Sequence, residues 1–203
     1  MAVLQLKDQE TQSAVGRRFV FGAVLAGALA VALGLVALLG YGLATSRERG
    51  EAQDEARPQG KLAPQFEMPL YQGAEFLGSD RLVMAHQLGH PVVVNFWFPS
   101  CPPCRIEMPD LERAWQRYQS RGVIMIGVTS LATDTEQDVR QFLKEFDITY
   151  PVGPDTTGEI VVDFGVTLFP STYFITADQV IARKRLGILS YEELEGYIEE
   201  LLP

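Results

Sequence analysis

The sequence predicts an α/β domain that is preceded by one membrane-spanning helix. Three observations lead to this prediction: residues 19–44 carry no charge, a β-branched strand ends at the only two cysteines, and strand and helix patterns alternate from Leu62 onward. Beyond the apolar segment, the chain has room for one domain of about 140 residues. We assign this domain to residues 61–203.

The apolar segment is long enough to cross a bilayer. At about 1.5 Å per residue, some 25 helical residues extend roughly 37 Å, whereas a hydrocarbon core is roughly 30 Å thick. The alternative is a cleaved signal peptide with Gly42-Leu43-Ala44 as its cleavage site, but the apolar core of such peptides has only about 7 to 15 residues. We predict a tail over residues 1–18, an uncleaved transmembrane helix over 19–44 and a charged tether over 45–60. The flanking basic residues do not decide its orientation.

Composition argues against two classes of function. The net charge is -9 and no basic stripe is present, so the sequence does not favour nucleic-acid binding. Zinc usually takes four ligands, and beside the two cysteines the chain offers only His86 and His90. We therefore predict no bound metal and no cofactor.

The first elements of the domain lead to the cysteines, Cys101 and Cys104. Residues 66–70 are expected to form an early or edge strand, with a turn at Gln72-Gly73-Ala74. Residues 91–96 are apolar and β-branched, which is typical of a buried strand. Residues 105–120 then predict a helix with one apolar face, formed by Ile106, Leu111, Trp115 and Tyr118, and a kink is expected at Pro109.

The cysteines therefore lie at a strand-to-helix turn, with Cys101 near the N-cap and Pro103 in the first turn. A free cysteine has a pKa of roughly 8.5. At a helix N-terminus, free N–H groups and the helix dipole favour an anion, so the thiolate of Cys101 should form more readily than that of a free cysteine. Cys104 lies one turn inward and is better shielded. This asymmetry suits thiol-disulfide exchange, in which Cys101 attacks a substrate disulfide and Cys104 resolves the mixed disulfide. Run in reverse, the same site would act as an oxidant.

The elements after this helix continue the alternation. Residues 123–128 form a second apolar strand, and residues 135–146 predict a helix because Val139, Phe142, Leu143 and Phe146 share one side. A short helix is expected over 155–164, and a hairpin over 171–176 and 180–186 turns at Ala177-Asp178-Gln179. Ser190 and Glu193 have the spacing of a capping box that opens the final helix, on which Leu194, Tyr197, Ile198 and Leu201 are apolar.

Three motifs in this order resemble the membrane-anchored TlpA-like and ResA-like branch of the thioredoxin fold. They are Val-Val-Val-Asn-Phe-Trp before the cysteines, Arg-x-Glu-Met-Pro after them, and Phe169-Pro170-Ser171-Thr172. The resemblance covers roughly residues 60–202 and implies a thioredoxin-like fold, a central mixed sheet flanked by helices. The opening, Lys61 to Phe66, is also similar to the start of peroxiredoxins.

The resemblance implies roles for four further residues. It implies a cis peptide bond before Pro170, which leaves the backbone of Phe169 free to pair with a substrate strand; the alternative is an ordinary trans proline that begins a strand. Trp97 is expected to contribute to substrate binding as a wall of the site. Glu107 matches a carboxylate close to the active site that raises thiol pKa values and relays protons, the alternative being a surface glutamate.

Two positions depart from related patterns. Asn95 stands where thioredoxins proper carry a buried aspartate, so it cannot titrate and proton transfer must fall to other groups. Ser100 precedes Cys101, where members of this branch usually carry tryptophan, so an apolar platform beside the cysteine is missing.

By resemblance, the expected function is the reduction of protein disulfides outside the cytoplasm, with apocytochrome c as the expected substrate and a CcdA-like transmembrane thiol-electron donor as partner. This places the chain in the cell membrane as a single-pass protein, with the tail cytoplasmic and the catalytic domain extracytoplasmic. Three alternatives stay open: an oxidase that introduces disulfides, a peroxiredoxin, and a Cu(I)-binding chaperone that uses the two thiolates.

Overall fold

The computed structural model describes residues 60–131 and 133–203, together with Gly34. In this part of the chain no helix is both long and apolar enough to span a bilayer. The predicted tail, transmembrane helix and tether lie, apart from Gly34 and Gly60, outside the described residues and stay predictions.

The described residues fold into strands and helices that alternate along the chain. In order they are β1 (Glu67–Pro69), α1 (Ala74–Leu77), β2 (Arg81–Val83), β3 (Val92–Trp97), α2 (Pro102–Tyr118), β4 (Ile124–Ser130), α3 (Glu136–Glu145), β5 (Val152–Asp155), α4 (Glu159–Asp163), β6 (Ser171–Ile175), β7 (Ile181–Leu186) and α5 (Tyr191–Glu199). Two 3₁₀ turns, Met84–Gln87 and Gln119–Arg121, join elements. The predicted α/β order is confirmed.

The main sheet has the strand order β5-β4-β3-β6-β7. β3 runs parallel to β4 and antiparallel to β6, so the sheet is mixed, as the resemblance implies. Since β3 and β6 are adjacent and antiparallel, the residues that follow β3 and those that precede β6 meet at the same end of these two strands. The predicted cysteine turn and the Phe169-Pro170 segment therefore lie side by side.

Alternate side chains of β3 serve the two faces of the sheet, as the pleat requires. Val93 and Trp97 belong to a core formed with α2, α3 and α5. Val92, Val94 and Phe96 belong to a second core, which includes residues of β1, β2 and α4. Every residue of β3 is buried, so the strand that leads to the cysteines is held from both sides.

The helix after the cysteines agrees with the prediction in position but not in the face that it buries. The helix runs from Pro102 to Tyr118 without a break at Pro109, and the kink expected there stays a prediction. Ile106 is 64% exposed, so its assignment to the buried face was wrong. The buried apolar stripe instead follows the spacing of Cys104, Met108, Leu111, Trp115 and Tyr118.

β5 was not predicted from the sequence, and the helix that follows it begins later than the predicted residue 155. Gly153 and Pro154 are unfavourable in strands, but β5 lies at the sheet edge, where such residues are tolerated. A Cβ on Gly153 would lie 2.2 Å from the carbonyl oxygen of Pro69, so the close approach of β1 requires glycine. The carboxylate of Asp155 accepts the N–H groups of Gly158 and Val161, and the helix begins only at Glu159.

Two helices begin with a reciprocal cap. At α5, the Ser190 hydroxyl accepts the N–H of Glu193, and the Glu193 carboxylate accepts the N–H of Ser190, which confirms the predicted capping box. Thr135 and Asp138 form the same arrangement at α3. The predicted hairpin of β6 and β7 is also confirmed, with Gln179 in its turn at a φ of 60°.

Candidate active site

The two cysteines occupy the turn between β3 and α2. Cys101 is the N-cap of α2, and Pro102 and Pro103 form its first turn, where the absent N–H groups leave no helical hydrogen bond unmade. The Sγ atom of Cys101 accepts the backbone N–H of Cys104 at 3.2 Å. The cysteines are joined by a disulfide with their Cα atoms 5.3 Å apart. The site is therefore a redox pair at a helix N-terminus, where an anionic sulfur is stabilised.

The two sulfur-bearing residues are buried to slightly different degrees. Cys101 is 3% exposed and Cys104 is fully buried, next to Met108 in the core under α2. Cys101 is therefore the slightly more exposed of the two. The assignment of Cys101 as the attacking thiol and Cys104 as the resolving thiol agrees with this placement and stays a prediction.

The Phe169-Pro170 peptide bond is cis, as the resemblance implied. The Phe169 ring packs edge-on against the ring of Phe98, with centroids 5.2 Å apart. Phe98 in turn accepts the N–H of Cys101 through its carbonyl, so the proline segment lies beside the cysteine turn. Within the described residues, the backbone of Phe169 makes no hydrogen bond, while the Pro170 carbonyl accepts the N–H of Gly187 at 2.8 Å. Phe169 can thus pair with an extended substrate strand, and that role stays a prediction.

Glu107 lies on α2 three residues after Cys104 and is fully buried, so the alternative of a surface glutamate was wrong. Residues three apart on a helix share a face, with Cβ atoms about 5–6 Å apart. One carboxylate oxygen, Oε2, accepts the backbone N–H of Leu189 at 3.0 Å. The other, Oε1, accepts the Asn95 side-chain amide at 2.8 Å. The sequence thus places one buried titratable group about one helical turn from Cys104, on the same face of α2.

Burial raises the pKa of Glu107 from its ordinary 4.5 to about 7. Desolvation is the largest cause, and it outweighs the hydrogen bonds from Leu189 and Asn95, which favour the ionised form and lower the pKa. A group with a pKa near 7 can both accept and release a proton at neutral pH. Glu107 is therefore suited to relay protons for the neighbouring thiols.

Asn95 lies on β3 directly opposite Thr172 on β6. Its amide nitrogen donates to the Thr172 hydroxyl at 3.0 Å as well as to Glu107. All three side chains are buried. Asn95 therefore joins the cysteine helix to the strand that follows the cis-proline.

Trp97, the last residue of β3, is fully buried and stacks on Phe142, with ring centroids 4.6 Å apart. Both rings belong to the core that also contains the cysteines. A side chain in this position forms an inner wall of the site and offers no surface to a substrate in this conformation. A direct contact between Trp97 and a substrate stays a prediction.

Ser100 is exposed at the outer side of the cysteine turn. Its hydroxyl donates to the carboxylate of Asp134 at 2.8 Å, which ties the turn to the loop before α3. The surface beside Cys101, where members of this branch usually carry tryptophan, is therefore polar in this chain. Residues of this surface, including Asp134 and Glu145, surround a shallow cavity of about 230 Å³.

Two residues of the site were not singled out from the sequence. Leu189 supplies a backbone N–H to Glu107 across 82 positions of sequence, and a backbone donor leaves no mark in the residue type. Thr172 had no role of its own among the predictions, and it entered only as the last residue of the Phe-Pro-Ser-Thr motif. The pairing of β6 with β3 would have pointed to its contact with Asn95, because residues directly opposite on antiparallel strands touch.

Comparisons with known proteins agree on a redox family. The AhpC/TSA family matches residues 59–184. The thiol-disulfide oxidoreductase ResA of Oceanobacillus iheyensis is 33% identical over 144 residues, which cover 71% of this chain and 73% of that protein. The thioredoxin-like protein YneN of Bacillus subtilis is 30% identical over 166 residues, or 81% of this chain and 93% of that protein.

A solved structure with a similar fold is a thiol:disulfide interchange protein of the thioredoxin family from Chlorobium tepidum. The match has a TM-score of 0.62 and 24% identity, and it covers 73% of this chain and all of that one. At this level of identity the likeness shows the fold. The predicted thioredoxin-like architecture of the domain is thereby confirmed.

Proposed function

The chain belongs to the AhpC/TSA family and is a thiol-disulfide oxidoreductase of the ResA-like branch, and on this premise we propose that it reduces disulfides in proteins outside the cytoplasm. We thus propose that electrons flow from the cysteines to the substrate, that the reaction takes place outside the cytoplasm, and that the substrates are proteins.

The proposed reaction moves two electrons from the cysteine pair to the substrate. The Cys101 thiolate attacks one sulfur of a substrate disulfide, and the other substrate sulfur leaves as a thiolate and takes up a proton. The Cys104 thiolate then attacks the Sγ atom of Cys101, which releases the second substrate thiolate and leaves the Cys101–Cys104 disulfide. Glu107 takes the proton that Cys104 loses. A dithiol donor must return two electrons and two protons to complete the cycle.

The buried carboxyl group of Glu107, one helical turn after Cys104, is the observation that favours a reductant. A negative charge near the dithiol disfavours the thiolate forms, because like charges in a medium of low polarity repel. Strong oxidants of the DsbA kind work in the opposite way, since their reduced form is stabilised. The position of Glu107 therefore favours transfer of electrons from the cysteines to the substrate.

The substrate and partner follow from the compartment. A reductant in an oxidising compartment needs substrates whose cysteines must stay reduced, and the haem-attachment cysteines of apocytochrome c meet this condition. It also needs a source of electrons, for which we propose a CcdA-like transmembrane thiol-electron donor. The predicted helix over 19–44 would anchor the domain beside such a donor as a single-pass protein of the cell membrane.

The test is capture of the substrate in the host cell with the full-length Cys104→Ser variant. Without the resolving thiol, the mixed disulfide at Cys101 should persist and be isolated from the membrane fraction, with apocytochrome c among the captured proteins. The matched control, Cys101→Ser, should capture none of these proteins. Cells that carry only this control should accumulate apocytochrome c with oxidised cysteines, as measured by alkylation of its free thiols.

Other outcomes would favour the alternatives. Accumulation of reduced rather than oxidised substrate cysteines would indicate an oxidase. Consumption of peroxide by the purified chain without reduction of a protein disulfide such as insulin would indicate a peroxiredoxin. Stoichiometric retention of Cu(I) by the reduced chain, again without insulin reduction, would indicate a copper chaperone.

A further inference from the structure

The Asn95 side chain uses both hydrogens of its amide nitrogen within the core. One goes to the Oε1 atom of Glu107 at 2.8 Å and the other to the Oγ1 atom of Thr172 at 3.0 Å. Asn95 is 2% exposed, and the other two side chains are fully buried. A single amide group therefore connects the carboxyl group on α2 to a hydroxyl group on β6.

The direction in which this amide points matters for Glu107. In the observed direction the nitrogen faces the carboxylate, and the Asn95 Oδ1 atom has no hydrogen-bond partner among the described residues. Turned by half a rotation, the amide would place its oxygen against Glu107, where only a protonated carboxyl group could donate to it. The observed direction thus favours the ionised form, and the opposite direction would favour the neutral form.

Thr172 is the second polar partner of the amide. Its hydroxyl could accept from the amide nitrogen or donate to the amide oxygen, so it fixes the position of the amide, while the ionised carboxylate of Glu107 selects the direction in which the nitrogen faces it. Thr172 lies directly opposite Asn95 in the antiparallel pairing of β3 with β6, so the backbone fixes the distance between the two side chains. We propose that Thr172 is a positioning residue, which accepts the second N–H of Asn95 and thereby holds the amide in the place from which its nitrogen donates to Glu107. The relevance of this contact for exchange rests on the proposed proton relay by Glu107.

Other groups face Glu107 and set its charge by routes that do not involve this amide. The N–H of Leu189 and the positive charge of Arg185 on β7 lower the pKa of Glu107, while Asp110 on α2 raises it. Tyr150 is also close enough that Glu107 raises the pKa of its hydroxyl. Arg185 is the cross-strand partner of Thr172 on β7, so a variant that keeps the hydroxyl is needed to separate loss of the amide contact from a change at Arg185.

The substitution Thr172→Val keeps the shape of the side chain and removes the acceptor. The Asn95 amide then loses the contact that holds it in place, and its hydrogen bond to the ionised carboxylate of Glu107 is weakened. Loss of about one hydrogen bond in this setting corresponds to a rise in the pKa of Glu107 of about one pH unit. Thr172→Ser keeps the hydroxyl and is the matched control, with an expected shift below about 0.3 units.

The titration can be followed directly in the full-length chain labelled with ¹³C at its glutamate carboxyl groups. The signal of Glu107 is identified by its loss in Glu107→Gln. We expect its titration midpoint to rise in Thr172→Val and to return in Thr172→Ser. If Thr172→Val does not fold, Thr172→Ala removes the same acceptor.

An unchanged midpoint in the valine or alanine variant would overturn the inference, and so would equal shifts in the valine and serine variants. The pH profile of insulin disulfide reduction, measured on the same variants, separates this inference from the proposed function. A shifted titration with a shifted profile supports both. A shifted titration with an unchanged profile supports the role of Thr172 and removes Glu107 from the proposed proton relay.

Discussion

Glu107 makes the stability of the fold depend on pH. Its pKa is about 7 in the folded chain, above the ordinary 4.5, because burial disfavours the charge. Between these two values the folded state binds more protons at this site than the unfolded state does. Stability therefore falls as the pH rises through this window, by up to about 3 kcal/mol in total, and the loss is complete above pH 7.

We expect Glu107→Gln to remove this dependence, because glutamine cannot ionise. The free energy of unfolding of the variant, relative to the wild type, should rise by about 3 kcal/mol between pH 4 and pH 8. Urea denaturation of the full-length chain at a series of pH values measures this difference. Glu192→Gln, at an exposed glutamate of α5, is the control and should leave the difference nearly constant. A constant difference for Glu107→Gln as well would show that the carboxyl group does not titrate in this range.

At the scale of elements, glycine residues decide how closely strands and side chains approach beneath the site. Gly127 lies on β4 opposite Asn95. A Cβ there would lie 2.9 Å from the Trp97 Nε1 atom and 2.9 Å from the Val152 Cγ2 atom, closer than packed atoms come. Gly196, inside α5, has open space around the corresponding position. Close packing therefore requires glycine at position 127, whereas position 196 has room for a larger side chain.

Alanine at these two positions should have opposite effects. Gly127→Ala overpacks the core and should lower the free energy of unfolding by about 1–3 kcal/mol, with a change in tryptophan fluorescence as Trp97 shifts. Gly196→Ala should raise it by up to about 1 kcal/mol, since alanine favours the helix and meets no neighbour. Urea denaturation measures both. Stabilisation by Gly127→Ala would contradict the close packing of Trp97 on β4.

The sequence predicted those elements whose signal is local. Neighbouring residues alone indicate the β-branched run of β3, the capping box of α5 and the hairpin of β6 and β7. The bounds of these elements in the structure agree with the prediction within one or two residues. β5 could not be predicted in this way, because it forms by pairing with β4 despite Gly153 and Pro154. Ile106 was assigned to the wrong face of α2. Near the start of the helix the buried stripe passes through Cys104 and Met108, and the spacing of apolar residues alone does not show which side of the first turn faces the sheet.

At the scale of the whole molecule, the residues that carry the redox chemistry could be predicted from the sequence. The contacts that hold them in position could not. The spacing of Cys101 and Cys104 indicated redox exchange, and the resemblance pointed to Glu107 and Pro170. What holds Glu107 comes from distant parts of the chain: a backbone N–H at Leu189 and the opposed pair of Asn95 with Thr172. Such contacts depend on the strand register, which is settled only when the sheet forms.

The redox state of the cysteines should affect the stability of the whole fold. Folding and disulfide reduction form a thermodynamic cycle, so the more stable of the folded redox states reveals which way electrons tend to flow. In a reductant the folded disulfide form is more stable than the folded dithiol form. In a DsbA-type oxidant the folded dithiol form is the more stable one. In this chain, the helix N-terminus favours a Cys101 thiolate and the buried Glu107 disfavours thiolates. We expect the carboxyl group to dominate above about pH 7, where it is ionised and its buried charge acts on the thiolates through a medium of low polarity.

We therefore predict that reduction of the full-length chain with excess dithiothreitol lowers the free energy of unfolding measured in urea. The double variant Cys101→Ser/Cys104→Ser is the control, and its stability should not respond to dithiothreitol. By the same cycle, the reduction potential measured against glutathione buffers should lie below about -200 mV, in the range of thioredoxin-like reductants. A reduced form more stable than the oxidised form, with a potential near about -120 mV, would contradict the proposed direction and make the chain an oxidase with the same site.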